Sequence, residues 1–293
     1  MHDSVRTTWI WTNEPYEGRV RYMYLDSRGW VTTGIGNKID ETPRELSPAS
    51  AAERERSLVL ANQLSWERNS DGGLADGGEV ARDWDAVKGR LDLAAAGHTA
   101  FAPPFTSLHL QDEVIDDFVM RRLDGDELEL MRRPEFADLE NWPADAQLAV
   151  HSMAWAMGTG KFEQFTIFRG AVDTRDWRTA AEQCRMKPDS GTLRLRNILD
   201  RQSLLNAARV DDEGLDPALL VFDLTGLFGV QAALLSIGYD PGPLDGQTGP
   251  ATRGAISDFQ LAIGLASTGE PDADTIEGLA ESLDGSTFVG LTT

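Results

Sequence analysis

A single cysteine, Cys184, stands in a chain of 293 residues, so an internal disulfide is excluded. The four histidines, His2, His98, His109 and His151, lack the paired spacing that zinc ligands adopt, and neither a metal site nor a cofactor is expected. Basic side chains are scarce. With 27 Lys and Arg against 48 Asp and Glu the net charge is −21, which repels nucleic-acid phosphate, and no basic patch is segregated from the rest. Nucleic acid is therefore not an expected partner. Long apolar runs are also missing. The most apolar stretch, 218–238, is interrupted by Asp223, Thr225, Gln231 and several glycines, well short of the roughly 20 residues that span a bilayer, so no membrane insertion is expected. Residues 1–11 show no basic patch followed by a sustained apolar stretch, so no cleavable secretion signal is visible.

What is present is ordinary globular composition, 41% hydrophobic and 26% charged, over a length that suits one large domain plus a small one, with a monomer expected. Both parts are acidic: residues 222–293 alone hold ten acidic residues against the one base Arg253. The surplus serves solubility, or suits a salty milieu in which screening shortens the reach of repulsion. Both readings stand.

Two composition breaks divide the chain. Residues 69–78 are rich in glycine and acid and, with Pro103 and Pro104, bracket the helical pattern 79–93. Residues 211–217 separate a helical pattern from a different tail, and place a boundary near Leu215. This predicts a domain over 1–212, a linker over 213–224 and a small domain over 225–286. Ser47-Pro48 reads as the N-cap and first residue of a helix running towards Leu64. Asp112 opens another, with Val114, Ile115, Phe118, Val119 and Leu123 at helical spacing. Residues 144–157 are apolar nearly all round, as a central buried helix would be, and end at Gly158 to Gly160. Residues 178–184 and 193–208 read as two more helices. One island differs: residues 20–36 alternate Tyr22 and Tyr24 with Arg21 and Met23, turn at 26–29 and return through Trp30 to Thr33, a hairpin within a helical protein.

That hairpin brackets a pair of acids. Glu17 sits just before it and Asp26 at its turn, so folding the strand back brings both to one edge. Cofactor-free glycoside hydrolysis needs such a pair: one acid protonates the leaving oxygen and the other carboxylate directs water or stabilises the cationic sugar. The acid has to keep its proton near neutral pH, which takes burial or a neighbouring carboxylate. Thr32 offers a hydroxyl to hold the water, and the run from Gly34 to Gly36 lets backbone approach a bulky sugar.

The full string, Glu17-Gly18, Tyr24, Asp26, Gly29, Thr32 and Gly34-Ile35-Gly36, resembles at matching intervals the active-site signature of the phage-type lysozymes, muramidase endolysins of glycoside hydrolase family 24. Residues 146–158, Phe162, Phe165, Trp177 and Ala180-Ala181 are similar to that family's central and following helices, so the resemblance covers roughly residues 5–208 with an extra segment near 67–102. It implies Glu17 as general acid, Asp26 as the carboxylate directing water, Thr32 as the water's positioner and inversion at the anomeric carbon. It also implies an arginine near the last helices contacting the acid, for which Arg194 is the first candidate and Arg196 the next. The sequence departs from the family in four places. Pro15 disfavours helical geometry at Glu14, whereas the family delivers its acid from a helix end. Asn37 replaces a histidine, which costs a structural contact rather than chemistry. Ser152 and Ala156 replace amides facing the cleft, beside Trp155, which is either a sugar-stacking surface or a core aromatic. The extra segment either reshapes one wall of the cleft or is a surface insertion.

From Val230 the chain reads Val230-Gln231, Leu234-Leu235, Gly238-Tyr239, Gly242, Leu244-Asp245-Gly246, Thr248-Gly249-Pro250, Thr252, Phe259-Gln260, Gly264-Leu265, Gly269, Asp272 and Leu279. This resembles the small three-helix peptidoglycan-binding domain of cell-wall hydrolases, and implies peptidoglycan as partner. Most of the motif is scaffold, and Asp245, Thr252 and Gln260 are open to turn and capping roles as well as to wall contacts.

The expected fold class is therefore α+β: a mainly helical lysozyme-like domain with a small antiparallel hairpin bearing the active site, plus a three-helix binding domain. The expected activity is hydrolysis of the β-1,4 bond between N-acetylmuramic acid and N-acetylglucosamine. The alternatives are an inactive wall-binding protein and a hydrolase of another N-acetylated glycan such as chitin. Synthesis in the cytoplasm without a signal peptide fits either a phage endolysin or an injected bacterial effector.

Overall fold

The computed structural model describes residues 1–283 and 287–289. Among them the elements run α1 (Asp3–Glu17), β1 (Val20–Leu25), β2 (Val31–Gly34), β3 (Asn37–Lys38), α2 (Ala51–Ala61), β4 (Glu67–Arg68), α3 (Gly77–Lys88), β5 (Leu108–His109) and α4 (Asp112–Leu130). Then follow α5 (Ala144–Met157), α6 (Thr166–Asp173), α7 (Trp177–Gln183), α8 (Gly191–Glu213), β6 (Val221–Asp223), α9 (Leu227–Ser236), α10 (Pro250–Ala262), α11 (Ala273–Ser282) and β7 (Thr287–Val289). A mainly helical chain with two small antiparallel sheets and a short parallel pair, β6 with β7, agrees with the α+β expectation. The chain divides into two compact units, Glu17–Arg122 and Met1–Tyr16 with Leu123–Thr293, so the range 1–212 is shared between them.

In the unit Glu17–Arg122, β1, β2 and β3 form an antiparallel sheet in that order, with Tyr24 opposite Thr32, Leu25 opposite Val31 and Thr33 opposite Asn37. The register shifts between Val20 and Tyr24. Helix α2 starts at Ala51 rather than at Pro48, because Ser50 and Glu53 form a reciprocal capping box that satisfies two backbone N–H groups. It ends at Ala61, short of Leu64. The extra segment is no surface insertion. Helix α3, capped by Asp76 and Glu79, buries Val80, Trp84 and Val87, and the indole of Trp84 donates to the Ile39 carbonyl at 3.0 Å. Asp83 accepts from the N–H groups of Ser107 and Leu108, while Phe101 is fully buried beyond it. Burying side chains of this size contributes roughly 2 kcal/mol each, so the segment is part of the unit's core.

The other unit is built on α5, buried nearly all round and ended by Gly158 as its composition predicts. Phe136, Trp142, Phe162, Phe168 and Trp177 fill the core between α5 and helices α6 to α8, several of them edge to face. Helix α8 is longer than its periodicity suggested and stops at Gly214, which adopts the left-handed conformation (φ 66°).

Residues 213–224, read as a linker, are bonded throughout their middle. The Pro217 carbonyl accepts from Ala144 N–H, the Ala218 carbonyl accepts from Ser4 Oγ, and Asp145 accepts from Val221 N–H at 2.9 Å. Backbone groups of this stretch are thus met by partners distant in sequence, which composition alone does not reveal. Helices α9, α10 and α11 give the expected three-helix module; residues 284–286 of the range read as that domain lie outside the described residues. Its Leu235 and Leu244 share a small apolar core with Tyr16 and Leu199.

Candidate active site and wall-binding module

Helix α1 runs unbroken through Glu14 and Pro15 to Glu17, contrary to the expectation from Pro15. A proline this close to a C-terminus removes one backbone bond, and burial of Asn13 and Tyr16 on the last turn outweighs that loss. Gly18 then adopts φ +72°, a conformation that side chains resist, so Glu17 is delivered from a helix end.

One tyrosine, Tyr24, pairs with Thr32 and lies within electrostatic reach of both Glu17 and Asp26. Tyr24 lies directly across the strand pair from Thr32, which puts both side chains on one face of the sheet. Its hydroxyl is pushed well above the ordinary tyrosine range, first by burial and then by the negative charges of Glu17 and Asp26. Both carboxylates thus lie within electrostatic reach of the same phenol.

Asp26 opens the turn. Its Oδ1 accepts from the N–H groups of Arg28 and Trp30, each at 2.9 Å, an Asx turn that fixes the carboxylate. Oδ2 has no hydrogen-bond partner among the described residues. Burial raises the Asp26 carboxyl above the usual aspartate range, against the opposing pull of the two N–H groups and of Arg28. Thr32 is buried, and its hydroxyl donates to the Trp30 carbonyl at 3.2 Å, leaving its lone pairs to accept.

The turn rests on the extra segment. Lys88, on α3, donates to the Gly29 carbonyl at 2.9 Å and pairs with the fully buried Asp40 at 2.8 Å. Nothing in the sequence tied Lys88 to this turn 59 positions away. Gly34 and Gly36 have φ of +62° and +67°, so these glycines serve the turn between β2 and β3. The Gly36 carbonyl accepts from Arg122, and Asn37 Oδ1 accepts from Ile35 N–H, so Asn37 makes a structural contact of its own.

The remaining candidates belong to the other unit. Trp155 is buried and meets Trp9 edge to face at 5.6 Å, the geometry of a core aromatic. Arg194 is exposed. Arg196 is buried: it donates to Ser152 Oγ and to Asn13 Oδ1 and sits 5.2 Å from the centre of the Tyr16 ring. Helical spacing held the signal that separates them, since Arg196 lies on the apolar stripe with Leu199, Ser203 and Ala207 while Arg194 is two positions, or about 200°, off it. Asp200, on the same face, is fully buried, and burial raises it to about 7 against the opposing effects of Ser152 and Arg196.

In the module two glutamines clasp the loops. Gln231 donates to Thr252 Oγ1, Asp245 Oδ1 and the Gln247 carbonyl, and accepts from Gly246 N–H. Gln260 donates to Thr268, Thr275 and the Glu270 carbonyl, and accepts from the N–H groups of Thr268 and Gly269. Thr252 and Gln260 are fully enclosed by these bonds, and the half-buried Asp245 also accepts from Gln247 N–H, so all three hold loops in shape.

Residues 229–279 match the family described as "Putative peptidoglycan binding domain". Residues 229–279 thus support a peptidoglycan-binding domain, with peptidoglycan as the partner that this domain indicates. The chain is also similar to the "Putative OxPP cycle protein OpcA" of Synechococcus elongatus, 44% identical over 52 residues that span 18% of this chain and 12% of that protein. No solved structure matches the chain. Among the described residues no helix is long and apolar enough to cross a membrane.

Proposed function

We propose that this chain is a muramidase, cleaving the β-1,4 bond between N-acetylmuramic acid and N-acetylglucosamine while its C-terminal module holds it on the wall. The observation that carries this reading is that Tyr24, which faces Thr32 across the strand pair, lies within electrostatic reach of both Glu17 and Asp26. Glu17 protonates the leaving oxygen. Asp26, with one oxygen fixed by backbone and the other open, takes a proton from water, and its raised basicity favours that transfer. Thr32 accepts the water's second proton as a hydrogen bond, which turns a lone pair of the water to the anomeric carbon. Attack from the face opposite the leaving group inverts the configuration. The module contributes by keeping the catalytic residues at high local concentration on an insoluble polymer.

The test is release of reducing ends from purified peptidoglycan by the wild type and by Glu17→Gln. A fall of about 100-fold or more is expected on losing a general acid, with the product's first-formed anomer inverted by NMR. Equal rates, or retained configuration, refute the assignment. Pelleting with the wall without any solubilisation by the wild type points to a binding protein instead.

A further inference from the structure

The extra segment carries a residue that the signature around Tyr24 does not include. His98 begins a short 3-10 turn, residues 98–101, whose far end is anchored by the fully buried Phe101 and by Thr106 Oγ1 donating to the Phe101 carbonyl at 2.9 Å. The imidazole is held from two sides by strand β1. Its Nδ1 is 3.2 Å from the Tyr22 hydroxyl, and its ring meets Tyr24 edge to face at a centroid distance of 6.0 Å. Those contacts fix the ring plane. Nε2 is left without a hydrogen-bond partner among the described residues, on a side chain exposed to solvent. A ring oriented by two tyrosines with its other nitrogen turned out is spent neither on the core nor on a cap.

Its place matters because Tyr24 is the residue that both Glu17 and Asp26 act on. An imidazole packed against that phenol stands at the edge of the same site. We infer that His98 is a substrate-binding residue that the extra segment supplies, its Nε2 hydrogen-bonding a hydroxyl or acetamido group of an N-acetylated sugar next to the bond being cleaved. Tyr22 selects the form: when its hydroxyl donates to Nδ1, Nε2 carries the proton and donates; when it accepts, Nε2 accepts. The exposed faces of Tyr22 and His98 add a surface on which a sugar ring stacks. This inference rests on the muramidase reading for its choice of ligand.

The probe is the soluble tetrasaccharide of two N-acetylglucosamine–N-acetylmuramic acid repeats, titrated calorimetrically into the full chain carrying Glu17→Gln, so that binding is read without turnover. Adding His98→Ala is expected to weaken binding about tenfold, the scale of one lost hydrogen bond with its packing. His98→Gln, which keeps a donor and an acceptor at similar reach, is expected to recover part of it. On peptidoglycan, His98→Ala in the otherwise native chain should raise KM by a similar factor with kcat little changed. Unchanged tetrasaccharide affinity in His98→Ala, with circular dichroism showing an intact fold, overturns the inference, as does absence of any tetrasaccharide binding. The muramidase reading fails on a different result, the lack of reducing-end release by the wild type.

Discussion

Lys88→Met removes the ammonium that joins α3 to the Asp26 turn while keeping most of the side chain's packing. In the wild type Lys88 Nζ lies 2.8 Å from Asp40 Oδ2 and 2.9 Å from the Gly29 carbonyl, with both side chains out of solvent. Without it, Asp40 keeps the N–H groups of Val31 at 3.0 Å and Thr42 at 2.8 Å, and the Gly29 carbonyl loses this donor. Removing one partner of a buried pair costs about 3–5 kcal/mol, and the two backbone donors left on Asp40 place this site at the lower end, about 3 kcal/mol. That corresponds to a fall of roughly 10 °C in melting temperature. The pH dependence carries a sign. Burial pushes the Asp40 carboxyl up, but Lys88 and the donors from Thr42 and Val31 outweigh it and hold it below its ordinary value. A carboxyl depressed on folding stabilises fully above the unfolded value of about 3.9 and loses that contribution as pH falls through the lower folded value. The gap between wild type and Lys88→Met should therefore be widest near neutral pH and close as the solution is acidified below about pH 4. Thermal melts across that range, with Asp40→Asn and the double variant completing a cycle, measure it; the double variant should cost less than the sum of the singles. A melting temperature within about 2 °C of wild type at neutral pH, or a gap equally wide in acid, refutes the reasoning.

Two further outcomes follow from buried polar groups elsewhere. Asp145 is fully buried, bonded to Asn206 and to Val221 N–H, and burial raises its carboxyl to about 7 against those two bonds. A carboxyl raised on folding keeps its proton longer in the native state, so its contribution to stability falls as pH rises from about 4 to 7; Asp145→Asn should flatten that slope in denaturant titrations, and an unchanged slope counts against it. Gln260→Ala leaves the N–H groups of Thr268 and Gly269, of which that of Gly269 is buried, without their acceptor and should destabilise the module by about 2 kcal/mol. Hydrogen exchange at those two amides reads this directly, with co-sedimentation on peptidoglycan falling in parallel; full protection refutes it.

Much of this protein was legible in its residues because the signals are local. The apolar circuit of residues 144–157, the hairpin at 20–36 and the glycine and proline punctuation of the three-helix module are written in short-range pattern, and the acids flanking the hairpin follow from its turn. The start of α2 is equally local, but Ser50 with Glu53 makes a better cap than Ser47 with Pro48. Tertiary structure decided the rest. Helix α1 passes through Pro15 because burial of its last turn outweighs one lost backbone bond, and Arg196 rather than Arg194 is buried because the α8 stripe turns it inward. The extra segment became core because Trp84 and Lys88 found partners at Ile39, Gly29 and Asp40, and His98 came to Tyr24 across 74 positions of chain. Sequence fixes what each residue can offer within a few turns of its own backbone; which distant group accepts the offer depends on packing the whole chain satisfies at once.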